Sequence, residues 1–419
     1  MGTNEWILHI DGDGFFAYCE IARFPQYHGK AVVVGEDRGI ACAMTYEAKR
    51  LGIARGMPIF KIREQYPNVI ILTSHFELYE HYAHNLFTIV EPYVDILERY
   101  SIDECFASVC LPSTWNKEQL HAWLFAIKKK AQHALGITFS FGMARTKVLA
   151  KIASKLQKPD GCTILSSLDE VSALQQTPID SVWGIGYRMA PQLQGIGVRT
   201  AYDFISLNQG HIERYNTPVQ SIWHELRGVP LFSVSTSNEL PKSLQSTKSF
   251  TPFSGEKKFV LAELMQNIDI VTSRMRGYGV MARAVSVYLK TKDRQYISSF
   301  AALPNYTYSP VDITAGIIPQ IAALFKEGLI YRSTGVTVWG LCPIDAVPYD
   351  MFNIQEESSE KGKAVFSAVD SIRSKFGAGS IGLLSALSSA HDRTKKRNIL
   401  EGHSHYIPGL PLPYLGETT

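Results

Sequence analysis

Two acidic signals lie far apart in this sequence. The first is Ile10-Asp11-Gly12-Asp13-Gly14-Phe15-Phe16, directly after a short apolar run. The second is Tyr100-Ser101-Ile102-Asp103-Glu104, between two strand-like runs. Carboxylates at strand ends can converge on a pair of Mg²⁺ ions, which activate an attacking oxygen and stabilise a leaving oxygen in phosphoryl transfer. Either signal alone also fits an Asp that bonds the backbone of its own turn. Two-metal chemistry requires both segments at the ends of neighbouring strands, and the rest of the sequence has to supply that sheet.

The apolar pattern does so. Trp6 to Ile10 reads as a buried strand and Phe15 to Ile21 as the start of a helix. Ala31–Val34 and Ile40–Met44 read as further strands, the latter running into a helix from Tyr46. A helix is predicted over Phe76–Val90. Strands at Tyr93–Tyr100 and Cys105–Cys110 are joined through Ser101–Glu104. A helix at Trp115–Leu135, a strand at Ile137–Met143 and a helix at Lys147–Leu156 follow. Strands alternating loosely with helices predict an α+β core.

Beyond Leu168 short helices are punctuated by glycine. Trp183-Gly184-Ile185-Gly186 is expected to open a helix, and Gln194-Gly195-Ile196-Gly197-Val198 repeats the form. The pair reads either as helix-hairpin-helix turns whose backbone N–H groups hold phosphate, or as plain glycine C-caps. Glu239–Ser249 reads as a polar linker. A second α+β unit follows, with strands at Arg283–Lys290 and Gly335–Leu341, and then a tail with a helix at Gly362–Phe376 and a basic cluster, Arg393–Arg397.

At 419 residues the chain exceeds one domain, and its 45% hydrophobic and 19% charged content is that of an ordinary globular protein. A formal net charge of +3 says little about nucleic acid, but residues 244–345 hold eleven Lys/Arg against seven Asp/Glu. The six cysteines form no Cys-x-x-Cys pair, which argues against a zinc or disulfide framework and predicts reduced thiols in a cytoplasmic protein. No leader pattern and no membrane-spanning run is expected.

Over about residues 5–345 the chain resembles the Y-family of translesion DNA polymerases, close to the DinB/UmuC branch. The resemblance rests on ordered motifs: the Asp11 to Glu20 segment, Tyr46-Glu47-Ala48-Lys49-Arg50, Ser101–Glu104, Phe141–Gly161, the Gly-Ile-Gly turn and Lys242–Ser246. It implies a multi-domain right-hand α+β fold. The palm would be residues 1–22 and 76–167, the fingers 23–75, the thumb 168–233, a linker 234–243, the little finger 244–345, and an extension 346–419.

The resemblance further implies that Asp11, Asp103 and Glu104 are catalytic and, with the Gly12 carbonyl, hold two Mg²⁺ ions that Mn²⁺ can replace. Asp13 is expected to cap a helix instead. The nucleotide would meet Phe15, Phe16, Cys42, Tyr46, Lys49, Arg50 and Lys158, with Phe16 excluding a 2′-hydroxyl and Phe15 mainly a core ring. Lys49 and Arg50 remain alternatives as the triphosphate contact. Primer-template DNA would meet Gly184, Gly186, Lys248, Arg274, Arg276, Arg283 and Arg332, with Lys290 and Lys292 as further basic candidates. A monomer is expected. Leu410–Leu415 reads either as a divergent sliding-clamp peptide or, more commonly for such a segment, as apolar terminal residues without a partner. Two other functions fit part of this set: a two-metal DNA nuclease and a catalytically silent DNA-binding accessory protein.

Overall fold

A computed structural model describes residues 3–36, 39–236, 240–347, 356–377 and 380–382. The chain divides into two compact units near residue 237. The first contains β1 (Thr3–Gly12), α1 (Phe15–Arg23), β2 (Val32–Val34), β3 (Ala43–Met44), α2 (Tyr46–Arg50), α3 (Ile59–Gln65), β4 (Ile70–Leu72) and α4 (Phe76–Val90). It continues with β5 (Ile96–Arg99), β6 (Glu104–Pro112), α5 (Lys117–Leu135), β7 (Phe139–Ala144), α6 (Lys147–Leu156) and β8 (Cys162–Ile164).

The main sheet has the order β5-β6-β1-β7-β8, with β1 central and antiparallel to both neighbours. Side chains alternate between its faces. Leu8 and Ile10 pack with Tyr79, Tyr82 and Leu86 of α4 and with Leu124 and Ile127 of α5. Ile7 points to the other side, where Phe106 meets Val148, Leu149 and Ile152 of α6. Burial on both faces is why β1 reads as a continuous apolar run rather than an alternating one. Helix α6 lies unusually near the sheet because of Gly142. A Cβ there would sit 2.2 Å from the Ser154 nitrogen and 2.3 Å from the Ala150 oxygen.

The small sheet, β3-β2-β4, is closed by α2 and α3 over Val33, Met44, Ala48, Ile59 and Ile62. The strand expected over Ile40–Met44 is shorter, Ala43–Met44. The chain changes partner before it: Ile40 bridges to Pro58, and the Ala41 N–H donates to the Met57 carbonyl at 2.9 Å.

Five short helices complete the first unit: α7 (Glu170–Gln176), α8 (Ala190–Gly195), α9 (Ala201–Ile205), α10 (Gln209–Ile212) and α11 (Thr217–Leu226). Their Leu174, Leu193, Phe204, Ile222 and Trp223 share the core beneath α6. The turn at Trp183–Gly186 does not itself begin a helix. The Gly186 carbonyl accepts from the Met189 and Ala190 N–H groups, so α8 starts at Ala190, and the second glycine pair ends it.

The second unit contains β9 (Ser243–Ser254), α12 (Lys257–Gly277), β10 (Val280–Thr291), β11 (Tyr296–Thr307), α13 (Pro310–Leu324), β12 (Tyr331–Trp339) and α14 (Glu356–Phe376). The antiparallel sheet runs β11-β10-β12-β9. Leu244, Val285, Val287 and Val336 pack on Ile268 and Val271 of α12 and Ile317 of α13. The expected linker Glu239–Ser249 is therefore strand from Ser243. Its inward side holds Leu244 and Ser246, the latter bonded to Asn267 at 2.8 Å, while Gln245 and Thr247 point outward. A half-open strand of this kind looks polar overall.

Helix α14 begins six residues before the expected Gly362 and is fixed to α12 by ion pairs. Asp370 accepts from Arg276 Nε at 2.6 Å and Nη2 at 2.9 Å, and Arg373 donates to Asp269 at 2.6 Å. The Arg276 guanidinium also lies 4.8 Å from the Phe366 ring centroid. Arg393–Arg397 and Leu410–Leu415 fall outside the described residues. Among the described residues, no helix is long and apolar enough to cross a membrane.

These contacts make Arg276 a structural residue. Arg276→Ala should cost the second unit about 1.5–3 kcal/mol, the range for hydrogen bonds to charged groups, measured as a lower denaturant midpoint. An unchanged midpoint would show that the α12–α14 pairing contributes nothing to stability.

Candidate active site

The sheet register brings the two acidic signals together. Asp11 pairs directly with Glu104, although they are 93 positions apart in sequence, and the Gly12 N–H donates to the Asp103 carbonyl at 2.9 Å. The pleat places His9 and Asp11 of β1 on the α6 side with Glu104 and Phe106 of β6. One ligand atom each from His9, Asp11 and Glu104 lies within 4.8 Å of the others. Asp103 stands at the start of β6, its Oδ1 held by the Ser101 hydroxyl at 2.6 Å. It lines one cleft with Asp11 and Gly12.

Lysines meet these carboxylates from α6 and the turn after it. Lys147, Lys151 and Lys155 are spaced four apart and so share a helix face. Lys147 donates to Glu98 at 2.6 Å and Lys151 to Glu104 Oε1 at 2.6 Å, while Lys158 bonds Asp11. Burial pushes the Glu104 carboxyl up, and the hydrogen bond from Lys151 opposes that shift. Burial holds the His9 imidazole well below the usual histidine range, and the positive charge of Lys151 adds to the effect. His9 Nδ1 is 2.8 Å from Ser154 Oγ, which itself donates to the Lys151 carbonyl. The hydroxyl has only one proton to give, so Nδ1 carries the imidazole hydrogen. Nε2 is left as a buried lone pair without a hydrogen-bond partner, 3.9 Å from Glu104 Oε2.

Asp13 departs from the expected cap. The N-cap of α1 is Gly14 at φ 55°, and no side chain caps it. The Asp13 carboxylate is fully buried instead. It accepts from Ser140 Oγ at 2.8 Å and from the Asp160 N–H at 2.8 Å. Asp160 is itself bonded by Lys128. Asp13 thereby ties down the Lys158–Gly161 turn and sets the approach of Lys158 to Asp11.

The cleft, about 440 Å³, collects most of the expected nucleotide residues: Phe15, Phe16, Cys42, Tyr46, Lys49 and Lys158 all line it. Phe15 is also a core residue. The Phe16 ring stacks on Tyr79 at 4.2 Å with a 10° interplanar angle, and the Tyr79 hydroxyl donates to Glu20 at 2.6 Å. This clamp fixes the ring edge-on to Phe76. Burial and the nearby Asp13 push the Tyr46 hydroxyl up, keeping it protonated as a donor. Lys49 Nζ sits 4.2 Å from the Tyr46 ring centroid. Arg50 does not line the cleft; its exposed side chain pairs with Glu47 at 2.9 Å. Sequence reasoning missed Arg55, which lines the cleft and donates to the Cys42 carbonyl at 2.7 Å. It also missed His9 and Lys151. The four-residue spacing of lysines in α6 was the available signal for Lys151.

The expected DNA contacts are divided between the two units: Gly184 and Gly186 belong to the first, and the lysines and arginines to the second. Gly184 has φ 88°, a backbone conformation that L side chains rarely adopt, so the turn itself is enough to require glycine. Lys248 pairs with Thr334 in the same strand parity as Leu244, toward the helix-covered face. Arg274 donates to the Gln245 carbonyl at 2.9 Å. Arg283 and Arg332 lie over the Tyr306 and Phe253 rings. Lys292 falls just beyond β10 and is exposed. The opposite sheet face carries Tyr288, Lys290, Tyr296 and Phe300, with Lys290 bonded to the Tyr296 hydroxyl at 2.9 Å.

Two family models match the chain: the impB/mucB/samB family over residues 10–155 and its C-terminal domain over residues 241–351. The chain is 28% identical over 388 residues to DNA polymerase IV of Desulfatibacillum aliphaticivorans, covering 90% of this chain and 96% of that protein. It is 26% identical over 379 residues to DNA polymerase IV of Brucella melitensis, covering 90% and 84%. Among solved structures, the Y-family DNA polymerase chimera Dbh-Dpo4(243-245)-Dbh shares its fold with a TM-score of 0.68 at 23% identity, covering 81% of this chain and 99% of that one. The DinB structure from Sulfolobus solfataricus gives a TM-score of 0.51 at 23% identity, covering 80% and 98%. The chain belongs to the impB/mucB/samB family, the Y-family DNA polymerases of DinB type.

The buried neutral His9 gives the first unit a pH-dependent stability. Its folded pKa is depressed, so the unfolded state binds the extra proton below about pH 6.5. Stability from this residue is complete above that pH and falls by about 1.4 kcal/mol per pH unit below it. In metal-free melts the midpoint should drop between pH 7 and 5, and His9→Gln should flatten that drop. Parallel curves for the two proteins would contradict it.

Proposed function

We propose that the cleft of the first unit carries out template-directed DNA synthesis by nucleotidyl transfer, with a site tolerant of damaged template bases. The observation that carries this reading is the convergence of Asp11, Gly12 and Asp103 with Phe16, Tyr46, Lys49 and Lys158 on one cleft, with Glu104 beside Asp11 in the sheet. The family requires a divalent metal. Asp11, Asp103, Glu104 and the Gly12 carbonyl form an all-oxygen donor set suited to two Mg²⁺ ions, with Mn²⁺ able to substitute. When bound, such ions lower the barrier for attack by the primer 3′-oxygen on the α-phosphorus and offset charge on the departing pyrophosphate.

The chain's own residues supply position and charge. Lys158 and Lys49 oppose the triphosphate charge, and the protonated Tyr46 hydroxyl donates to it. The arrangement favours Lys49 over Arg50 for this role, since Arg50 points away and pairs with Glu47. Phe16, held against Tyr79, leaves no room for a 2′-hydroxyl beneath the incoming sugar. Arg55 and Cys42 border the base side of the cleft. Residues 1–22 and 76–167 then act as palm, 23–75 as fingers, 168–233 as thumb and 244–345 as little finger. In the little finger the Tyr288–Lys290–Tyr296 face is the better candidate for DNA than Arg276, because aromatic and Lys side chains can stack on and neutralise a strand without reading its sequence.

Primer extension with dNTPs tests this directly. The wild-type chain should extend a primer in Mg²⁺ and Asp103→Ala should lose extension by about two to three orders of magnitude or more, the loss typical when one electrostatic group is removed being about 10²–10³. DNA affinity should stay within about twofold. Strand cleavage without extension would favour a two-metal nuclease, and DNA binding with neither activity a silent accessory protein.

A further inference from the structure

Lys151 is a buried ammonium with one carboxylate partner and an aromatic cage. Its Nζ donates to Glu104 Oε1 at 2.6 Å, and the side chain is 10% exposed. The same Nζ lies 4.8 Å from the Tyr100 ring centroid, 5.5 Å from Trp183 and 5.8 Å from Phe106. The rings brace one another. Trp183 Nε1 donates to the Tyr100 hydroxyl at 3.0 Å, and Trp183 packs on both Tyr100 and Phe106 at 5.5 Å. Ring faces attract the cation, and burial removes the water that would otherwise compete for it. The ammonium is therefore held in place independently of Glu104. The other carboxylate oxygen of Glu104 is turned toward His9, and through it toward Asp11.

From this geometry we infer that Lys151 is a positioning residue for Glu104, and that Trp183, from the turn at Trp183–Gly186, is the wall that holds Lys151 in register. The inference rests on the reading of Asp11, Asp103 and Glu104 as metal ligands. A hydrogen-bond partner behind a ligating carboxylate fixes its orientation, and removing such a partner typically costs 10–100-fold in metal affinity or activity.

The test separates position from charge by sign. Lys151→Met keeps the length and apolar stem but removes a positive charge close to the site. If Lys151 acted only through charge, Mn²⁺ would bind more tightly to Lys151→Met. If it positions Glu104, Mn²⁺ should bind about tenfold more weakly. Mn²⁺ binding to the full chain is followed by electron paramagnetic resonance with the metal alone. In primer extension kcat should fall about tenfold with the dNTP KM unchanged within twofold, since the triphosphate contacts lie elsewhere. Trp183→Leu, at the partly exposed wall, should shift both readouts the same way by about threefold, and Trp183→Phe should restore most of the loss. Equal or tighter Mn²⁺ binding by folded Lys151→Met, or unchanged binding in Trp183→Leu, would overturn the inference. Failure of the wild-type chain to extend a primer would instead remove the polymerase reading on which it rests.

Discussion

The antiparallel pairing of β1 with β6 is the constraint on which the rest of the site depends. It sets Asp11 opposite Glu104 and Gly12 against Asp103. A slip of β1 by one residue would turn His9 and Asp11 onto the face occupied by α4 and α5, where the core is apolar. The register is defended from both sides. Leu8 and Ile10 belong to one core and Ile7 and Phe106 to the other, so a one-residue slip of β1 would exchange His9 and Asp11 for Leu8 and Ile10 between the two faces. Gly142 adds a third restraint, because only a strand without a side chain at that point lets α6 reach the sheet.

That close approach explains how so much like charge is tolerated. Carboxylates gathered in a partly buried site repel one another, and opposite charge placed nearby offsets the repulsion. Helix α6 brings its lysines to the acidic edge at intervals of one turn, pairing Lys147 with Glu98 and Lys151 with Glu104. The turn beyond α6 brings Lys158 to Asp11, and that turn is itself anchored by the buried Asp13 carboxylate. Asp11 and Asp13, two residues apart, therefore do different work. One faces the cleft and the other holds the loop that supplies its counter-charge. The Phe16–Tyr79–Glu20 chain plays the corresponding part for the wall of the cleft at Phe16, holding a flexible ring in one place.

Most of the main sheet and its two acidic ends were legible in the sequence, because β1 and β6 are long apolar runs interrupted only where they meet the site. The ordered motifs also led to the family. Less legible were features decided by tertiary partners. Asp13 looks like a cap because it precedes a helix, but its shortest hydrogen bonds are to Ser140 and Asp160, more than a hundred residues away. The β9 strand looked like a linker because only alternate residues are buried. Arg276 carried a charge suited to phosphate, yet its partner Asp370 lies 94 residues further on, in a helix beyond the matched C-terminal domain. Lys49 and Arg50 could not be separated by type, whereas the helix turn sends one into the cleft and the other to Glu47.

On the proposed function, one sheet edge made by residues distant in sequence holds two metal ions. Anomalous diffraction from crystals grown with primer-template DNA, a non-hydrolysable dNTP analogue and Mn²⁺ would locate such ions. Two peaks are predicted, one within about 2.2 Å of oxygens from both Asp11 and Asp103 and the second adjacent to Glu104. A complex with the nucleotide ordered in the cleft but no peak at Asp11 and Asp103 would show that the sheet edge is not a metal centre.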